Sequence, residues 1–272
     1  MIAAGVTVGA LQAGLPLDPL ENRILLCHAL GLTRVGLITQ NERVLTAAEA
    51  DSLRALVERR QRGEPIAYIV GKREFFGLDF RVTDAVLIPR PDTELLVELA
   101  LERLPQGGRA LDMGTGSGAI AVAIAHTRRD AQVTALDVSP AALEVATSNA
   151  AANGAAVRFL QSDWYSALAG EVFDLIASNP PYIADGDIHL SQGDLRFEPT
   201  GALTDHADGL SALRTIIAGA GAHLAPQGWL LMEHGYDQAA QVRSLLTDQG
   251  YTDVQSWRDL AGIERATGGR CP

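Results

Sequence analysis

Leu111-Asp112-Met113-Gly114-Thr115-Gly116-Ser117-Gly118 carries a short apolar run into three glycines at alternate positions, and Ala119 then opens an alanine-rich helical pattern. A glycine loop between a strand and a helix lets the backbone come close to a ligand at the helix start. The loop reads G-x-G-x-G. A dinucleotide site asks for the longer G-x-G-x-x-G, with backbone N–H groups aimed at a pyrophosphate. The spacing therefore points to an adenosine that carries no phosphate.

The chain downstream extends this reading. Val133 to Leu136 is a second strand and ends at Asp137, placed to hold ribose hydroxyls. Val157 to Leu160 is a third strand and leads to Ser162-Asp163-Trp164. Trp164 either packs on an adenine, with Asp163 near its amino edge, or is ordinary core. S-adenosylmethionine is a ligand of this kind. The fourth strand, Phe173 to Ser178, delivers Asn179-Pro180-Pro181-Tyr182. Two prolines fix two φ angles and remove two donors, so the Asn179 amide oxygen and the turn carbonyls become stiff acceptors. Tyr182 adds a flat amphipathic wall. Such a turn suits gripping a planar NH2 group, although Asn-Pro also serves merely to end a strand.

Strands and helices alternate from Arg109 onward, the mark of a mostly parallel sheet covered on both faces. Ser139 caps a helix with Pro140 at its first position, and Asn153-Gly154 stops it. Residues 183–208 form a long polar loop, a candidate lid or substrate loop. A helix over 210–223, a strand over 229–232, a helix over 238–249 and strands near Val254 and over 264–267 complete the domain.

Residues 1–75 read as a small helical domain. Thr46-Ala-Ala-Glu49 is a capping box, and Leu53, Leu56 and Val57 follow at helical spacing. Arg54, Arg59, Arg60 and Arg62 share the other face, which is either a docking face or a solvated one. Residues 76–88 read as a β-hairpin connector, with Leu78, Phe80 and Val82 alternating and Val86-Leu87-Ile88 returning after Thr83-Asp84. Asp92 is expected to cap the leucine-rich helix that runs to Leu104. The remaining domain spans 89–272.

A chain of 272 residues with 47% hydrophobic residues supports a packed core. No apolar run approaches a membrane span, no basic leader opens the sequence, and Cys27 and Cys271 form neither a disulfide framework nor a metal spacing. The expected compartment is the cytoplasm. The six histidines are scattered and predict no metal site; His234, after a strand, reads as structural. A net charge of −11 makes a poor partner for nucleic-acid backbones.

LDMGTGSG, Asp137 and NPPY together resemble a class I S-adenosylmethionine-dependent methyltransferase. That likeness implies a Rossmann-like, mostly parallel seven-stranded sheet. REFFGLDFRV, IPRPDTELL, SNPPYI, DLRFEPTGALTDHADGL and GIERATGGR narrow it: from about residue 65 onward the chain resembles the PrmC/HemK family. Its members methylate the side-chain nitrogen of the glutamine in the GGQ loop of class 1 peptide chain release factors, in translation termination. The resemblance implies that Gly114, Thr115, Gly116, Ser117, Gly118, Asp137 and Trp164, with Asn179, bind S-adenosylmethionine, and that S-adenosylhomocysteine is the product. It implies that Asn179, Pro180, Pro181 and Tyr182 bind the substrate glutamine. In that reading Asn179 and Pro180 accept the two amide N–H bonds and Tyr182 packs on the amide plane, making these three the catalytic residues. No general base is evident. The expected partner is a release factor, with no membrane and no direct nucleic acid. An adenine amino-group methyltransferase would share the NPPY logic but needs a basic base-flipping surface. A non-catalytic nucleotide-binding regulator would have no use for an intact NPPY, and a dehydrogenase would need the longer glycine loop.

Overall fold

The computed structural model describes residues 2–272. The chain divides into two units, one ending at Gly71 and one beginning at Lys72.

The first unit holds five helices: α1 (Val8–Gly14), α2 (Pro19–Leu30), α3 (Arg34–Thr39), α4 (Ala47–Gln61) and α5 (Ile66–Val70). Short polar residues start them. Asp18 caps α2 by accepting from the Leu20 N–H at 2.7 Å, with Pro19 at its first position. Thr33 caps α3. Thr46 and Glu49 form the expected capping box of α4. Leu25, Leu26, Leu37 and Leu53 are fully enclosed in this unit's core. The arginine face of α4 is occupied by ion pairs within the same unit. Arg54 pairs with Asp51 at 2.7 Å, Arg60 with Glu21 at 2.8 Å, and Arg59 with Glu64.

The second unit begins with a hairpin, β1 (Lys72–Phe75) against β2 (Leu78–Arg81). This corrects the expected connector. The tight turn is Phe76-Gly77, with φ of 52° and 74°, not Thr83-Asp84. Two consecutive left-handed residues match the twist of a two-residue hairpin, and glycine adopts one of them without strain. Val86 and Ile88 are buried but form no strand. Asn149 clips the hairpin end, accepting from the Arg81 N–H at 2.7 Å and donating to its carbonyl at 3.0 Å. The expected cap is also displaced: Pro91–Thr93 forms a single 3-10 turn, and α6 (Glu94–Arg103) starts after it without a side-chain cap.

The sheet that follows has seven strands: β3 (Arg109–Met113), β4 (Gln132–Asp137), β5 (Val157–Gln161), β6 (Phe173–Ser178), β7 (Leu224–Glu233), β8 (Thr252–Arg258) and β9 (Glu264–Arg270). Their spatial order is β5-β4-β3-β6-β7-β9-β8, and only the pairs made by β9 are antiparallel. Successive side chains leave opposite faces of each strand. Leu175 and Ala177 enter the core shared with α6, α7 (Ala119–Thr127) and α8 (Pro140–Ala152), and Ile176 enters the core on the other face. The loop between β6 and β7 carries a one-turn helix, α9 (Thr200–Leu203); α10 (Ser211–Ala220) and α11 (Ala239–Asp248) cover the second face. Burial on both faces explains why the strands read as apolar runs. Among the described residues no helix is long and apolar enough to cross a membrane.

Candidate active site

The strand order reverses at β3, which has β4 on one side and β6 on the other. In open α/β sheets a crevice opens at such a point, outside the carboxyl ends of the strands. Met113 and Ser178 are register partners there, and the Ser178 hydroxyl donates to the Met113 carbonyl at 2.8 Å. The glycine loop and the Asn179 turn therefore leave the sheet side by side, 65 residues apart in the chain.

Gly114, Gly116 and Gly118 have φ of 70°, 55° and 84°. A Cβ at Gly114 or Gly116 would meet nothing within 4 Å, so the left-handed backbone, not crowding, asks for glycine at these two positions. The loop is held from three sides. The Gly114 and Thr115 N–H groups both donate to the Leu136 carbonyl at 2.9 Å. The Gly116 N–H donates to Asp137 Oδ2 at 2.9 Å, and Ser139 N–H to Oδ1 at 2.9 Å. Asn149 Nδ2 donates to the Ser117 carbonyl at 2.8 Å. Behind the loop Asp112 is 1% exposed. Its Oδ2 accepts from the Thr115 hydroxyl at 2.6 Å and the Ala121 N–H at 3.1 Å, while Oδ1 is buried with no partner among the described residues. Burial pushes this carboxyl up to about 7, against the hydrogen bonds that lower it.

Trp164 is left-handed, with φ of 46°, uncommon for a bulky side chain. The Ser162 hydroxyl stabilises that turn, donating to the Trp164 carbonyl at 2.7 Å and accepting from the Ala167 N–H at 3.0 Å.

At the Asn179 turn, Asn179 Nδ2 donates to Thr93 Oγ1 at 3.2 Å. The Tyr182 ring packs into the core shared with α10 and α11, and its hydroxyl donates to Glu233 Oε1 at 3.3 Å. Burial raises the Tyr182 hydroxyl above the ordinary phenol range. Glu233, at the end of β7, is 3% exposed and is pushed up to about 7 by burial, with the Thr93 and Tyr182 hydroxyls pulling it down. His234 beside it is fully buried, its ring bonded to Thr267 Oγ1 at 2.7 Å and to the Gly235 carbonyl at 2.8 Å.

These elements enclose a cavity of about 380 Å³. Gly114, Thr115, Gly116, Ser117, Asp137, Trp164, Asn179 and Pro181 line it. Gly118, Pro180 and Tyr182 are not among its lining residues; Gly118 caps α7, Pro180 is buried, and the Tyr182 ring packs against the core under α10 and α11. The rim adds Arg90, Thr93, Pro199 and Ala202. The volume suits one small ligand. The open space over Gly114 and Gly116, with the Asp137 carboxylate beside it, fits an adenosine-bearing group.

Sequence reasoning passed over Asp112, Arg90, Thr93, Glu198 and Glu233. Asp112 was visible as the acid opening the glycine motif, and Arg90 and Thr93 lie inside PRPDTE. Glu233 had only its place beside His234 at a strand end to mark it.

A family model described as the methyltransferase small domain matches residues 91–195, and one described as the PrmC N-terminal domain matches residues 10–71. A release factor glutamine methyltransferase of Burkholderia pseudomallei is 57% identical over 275 residues, covering 98% of this chain and 96% of that protein. One of Xylella fastidiosa is 53% identical, covering 94% of each. Among solved structures, a methyltransferase from Pyrococcus furiosus superposes with a TM-score of 0.55 at 22% identity, over 78% of this chain and 95% of that one, a likeness of fold.

Proposed function

This chain belongs to the release factor glutamine methyltransferase family, and on that premise we propose that it methylates the side-chain nitrogen of the GGQ glutamine in class 1 release factors. The observation that carries this reading is the pairing, across β3 and β6, of a phosphate-free glycine loop with an Asn-Pro-Pro-Tyr turn that lines the same cavity. The enzyme is S-adenosylmethionine-dependent. When bound, the cofactor supplies an activated methyl group on a sulfonium.

The chain's own residues then have three tasks. The glycine loop, Asp137 and Trp164 would hold the cofactor at the β3 and β4 ends. The Asn179 turn would hold the glutamine amide. Its nitrogen is a poor nucleophile because its lone pair is delocalised into the carbonyl. Asn179 Oδ1 and the Pro180 carbonyl, accepting the two N–H bonds, would orient that lone pair at the methyl carbon and favour the positive charge that develops on nitrogen. Tyr182 would flank the bound amide, its hydroxyl held by Glu233 Oε1 at 3.3 Å, while Pro181 faces the cavity.

The test offers the full-length protein a methyl-labelled donor with a class 1 release factor, and in parallel with unmodified DNA and RNA. Products are mapped by mass spectrometry. Label on the GGQ glutamine is expected; label confined to adenine would overturn the proposal.

A further inference from the structure

S-adenosylmethionine carries a sulfonium, an ammonium and a carboxylate, the last two on its amino-acid end. The cavity wall answers the carboxylate at one place. Among the described residues that line the cavity, Arg90 is the one cation, set against the carboxylates of Asp137 and Asp163.

The place of Arg90 follows from the strand order. Trp164 lies beyond β5, Asp137 ends β4, Gly114 and Gly116 follow β3, and Asn179 follows β6. The cavity therefore crosses the ends of four neighbouring strands in that order. Arg90 belongs to the β6 side. Its carbonyl accepts from the Thr93 N–H at 3.1 Å, and the Thr93 hydroxyl accepts from Asn179 Nδ2 at 3.2 Å. An adenosine held at the β5 and β4 end leaves the amino-acid end of the cofactor to the β3 and β6 side.

The guanidinium is held, not loose. Its Nη2 donates to Glu198, whose side chain is completely buried and whose other oxygen accepts from the Ile88 N–H at 2.9 Å. Arginine presents five N–H donors in one plane, and a carboxylate accepts two of them at once. One edge of the fork is taken by Glu198, and the remaining N–H groups have no partner among the described residues.

We propose that Arg90 is a cofactor-binding residue: it receives the carboxylate on the amino-acid end of S-adenosylmethionine, and Glu198 is the positioning residue that fixes the plane of its guanidinium. The inference rests on the cofactor dependence and not on the identity of the methyl acceptor. A glutamine side chain is uncharged and brings Arg90 no anion. The start of α7 also lines the cavity, but its Ala121 N–H is already given to Asp112 and it brings no side-chain cation.

The experiment measures binding to the full chain by calorimetry, with no release factor present. Three ligands are compared: S-adenosylmethionine, its decarboxylated form, and 5′-methylthioadenosine, which lacks the amino-acid end. Arg90→Ala would leave Glu198 unpaired, so the probe is Arg90→Gln combined with Glu198→Gln, which can keep a hydrogen-bonded pair with no buried charge. Wild type should prefer S-adenosylmethionine over the decarboxylated form by about ten- to a hundredfold, the scale of a charge-assisted hydrogen bond. In the double variant that preference should fall to about threefold or less, with 5′-methylthioadenosine bound as in wild type. Arg90→Lys keeps the charge without the fork and should fall between them.

Equal binding of the two cofactors by wild type would overturn the proposal. So would a double variant that keeps the preference, which hands the carboxylate to the α7 N-terminus, or one that loses 5′-methylthioadenosine in the same measure. A double variant with unchanged cofactor binding and a raised KM for the release factor would also overturn it, by assigning Arg90 to the protein substrate. If wild type methylates no release factor, the glutamine reading fails, and the binding ratios still decide the role of Arg90.

Discussion

Arg90 and Glu198, 108 residues apart in the chain, form an ion pair whose acidic side chain is completely buried. The second oxygen of Glu198 accepts from the Ile88 N–H at 2.9 Å. The pair fastens the segment that follows β6 to the segment that precedes α6, and both contribute to the cavity rim through Arg90 and Pro199. The long loop is therefore pinned near its C-terminal end, while its exposed stretch around residues 185–189 is not part of that clamp.

Arg90→Ala leaves the Glu198 charge buried and unpaired. Removing one partner of a buried pair costs about 3–5 kcal/mol. Urea unfolding should show a loss of that size, and limited proteolysis should cut first within 183–208. A variant as stable and as protease-resistant as wild type would refute the clamp.

Asn179→Ala removes the amide acceptor proposed to hold the glutamine. The methylation rate should fall by a factor on the order of ten to a thousand, as for loss of one charge-stabilising contact. Label transfer to a release factor, followed over time, measures it directly.

Gly118→Ala places a side chain at φ of 84° and 3.1 Å from the Ala146 Cβ, 3.4 Å from Val122 Cγ2. The left-handed backbone alone costs about 1–2 kcal/mol, and the close contact adds to it. Gly116→Ala meets open space and carries only the backbone cost, yet it intrudes on the cavity. Thermal unfolding should rank Gly118→Ala as the less stable variant, and cofactor titration should show a loss in Gly116→Ala beyond what its stability explains.

Asp112 and Glu233 are both pushed by burial to about 7, from ordinary values of 3.8 and 4.5. Between about pH 4 and 7 the folded chain holds protons at these sites that the unfolded chain releases. Stability is full below the ordinary carboxyl values and declines as pH rises through 7, by about 3–4 kcal/mol for each group at most. Glu233→Gln should flatten this decline and be more stable than wild type at pH 8. Urea midpoints at pH 5 and pH 8 would show it; an unchanged pH slope would contradict it.

The parts of the site that depend on neighbours in the chain were legible in the sequence. The glycine loop, Asp137 and the Asn179 turn each follow a strand directly, and a strand end is a local signal. The partners that orient them were not. Thr93 reaches Asn179 across 86 residues, and Arg90 reaches Glu198 across 108. Such pairings are fixed only when β3, β6 and β7 lie side by side. The hairpin was misread because Leu78, Phe80 and Val82 alternate as convincingly as any strand, while its true turn hides a left-handed Phe76 that composition does not announce. Residue type alone makes the Tyr182 ring a candidate wall for the substrate, and no local signal announces that its hydroxyl finds the buried Glu233 carboxylate.

With one of its N–H bonds given to Thr93, the Asn179 side chain has its oxygen left to face the cavity. On the proposed reading, that oxygen and the Pro180 carbonyl are satisfied by a primary amide, which brings two hydrogens. A monomethylated amide brings one. It must leave one of the two acceptors empty and place a methyl group where a hydrogen bond stood. On that reading the turn would work as a tally: it would recognise the unmodified glutamine, lose its hold once a single methyl has been added, and end the reaction at one.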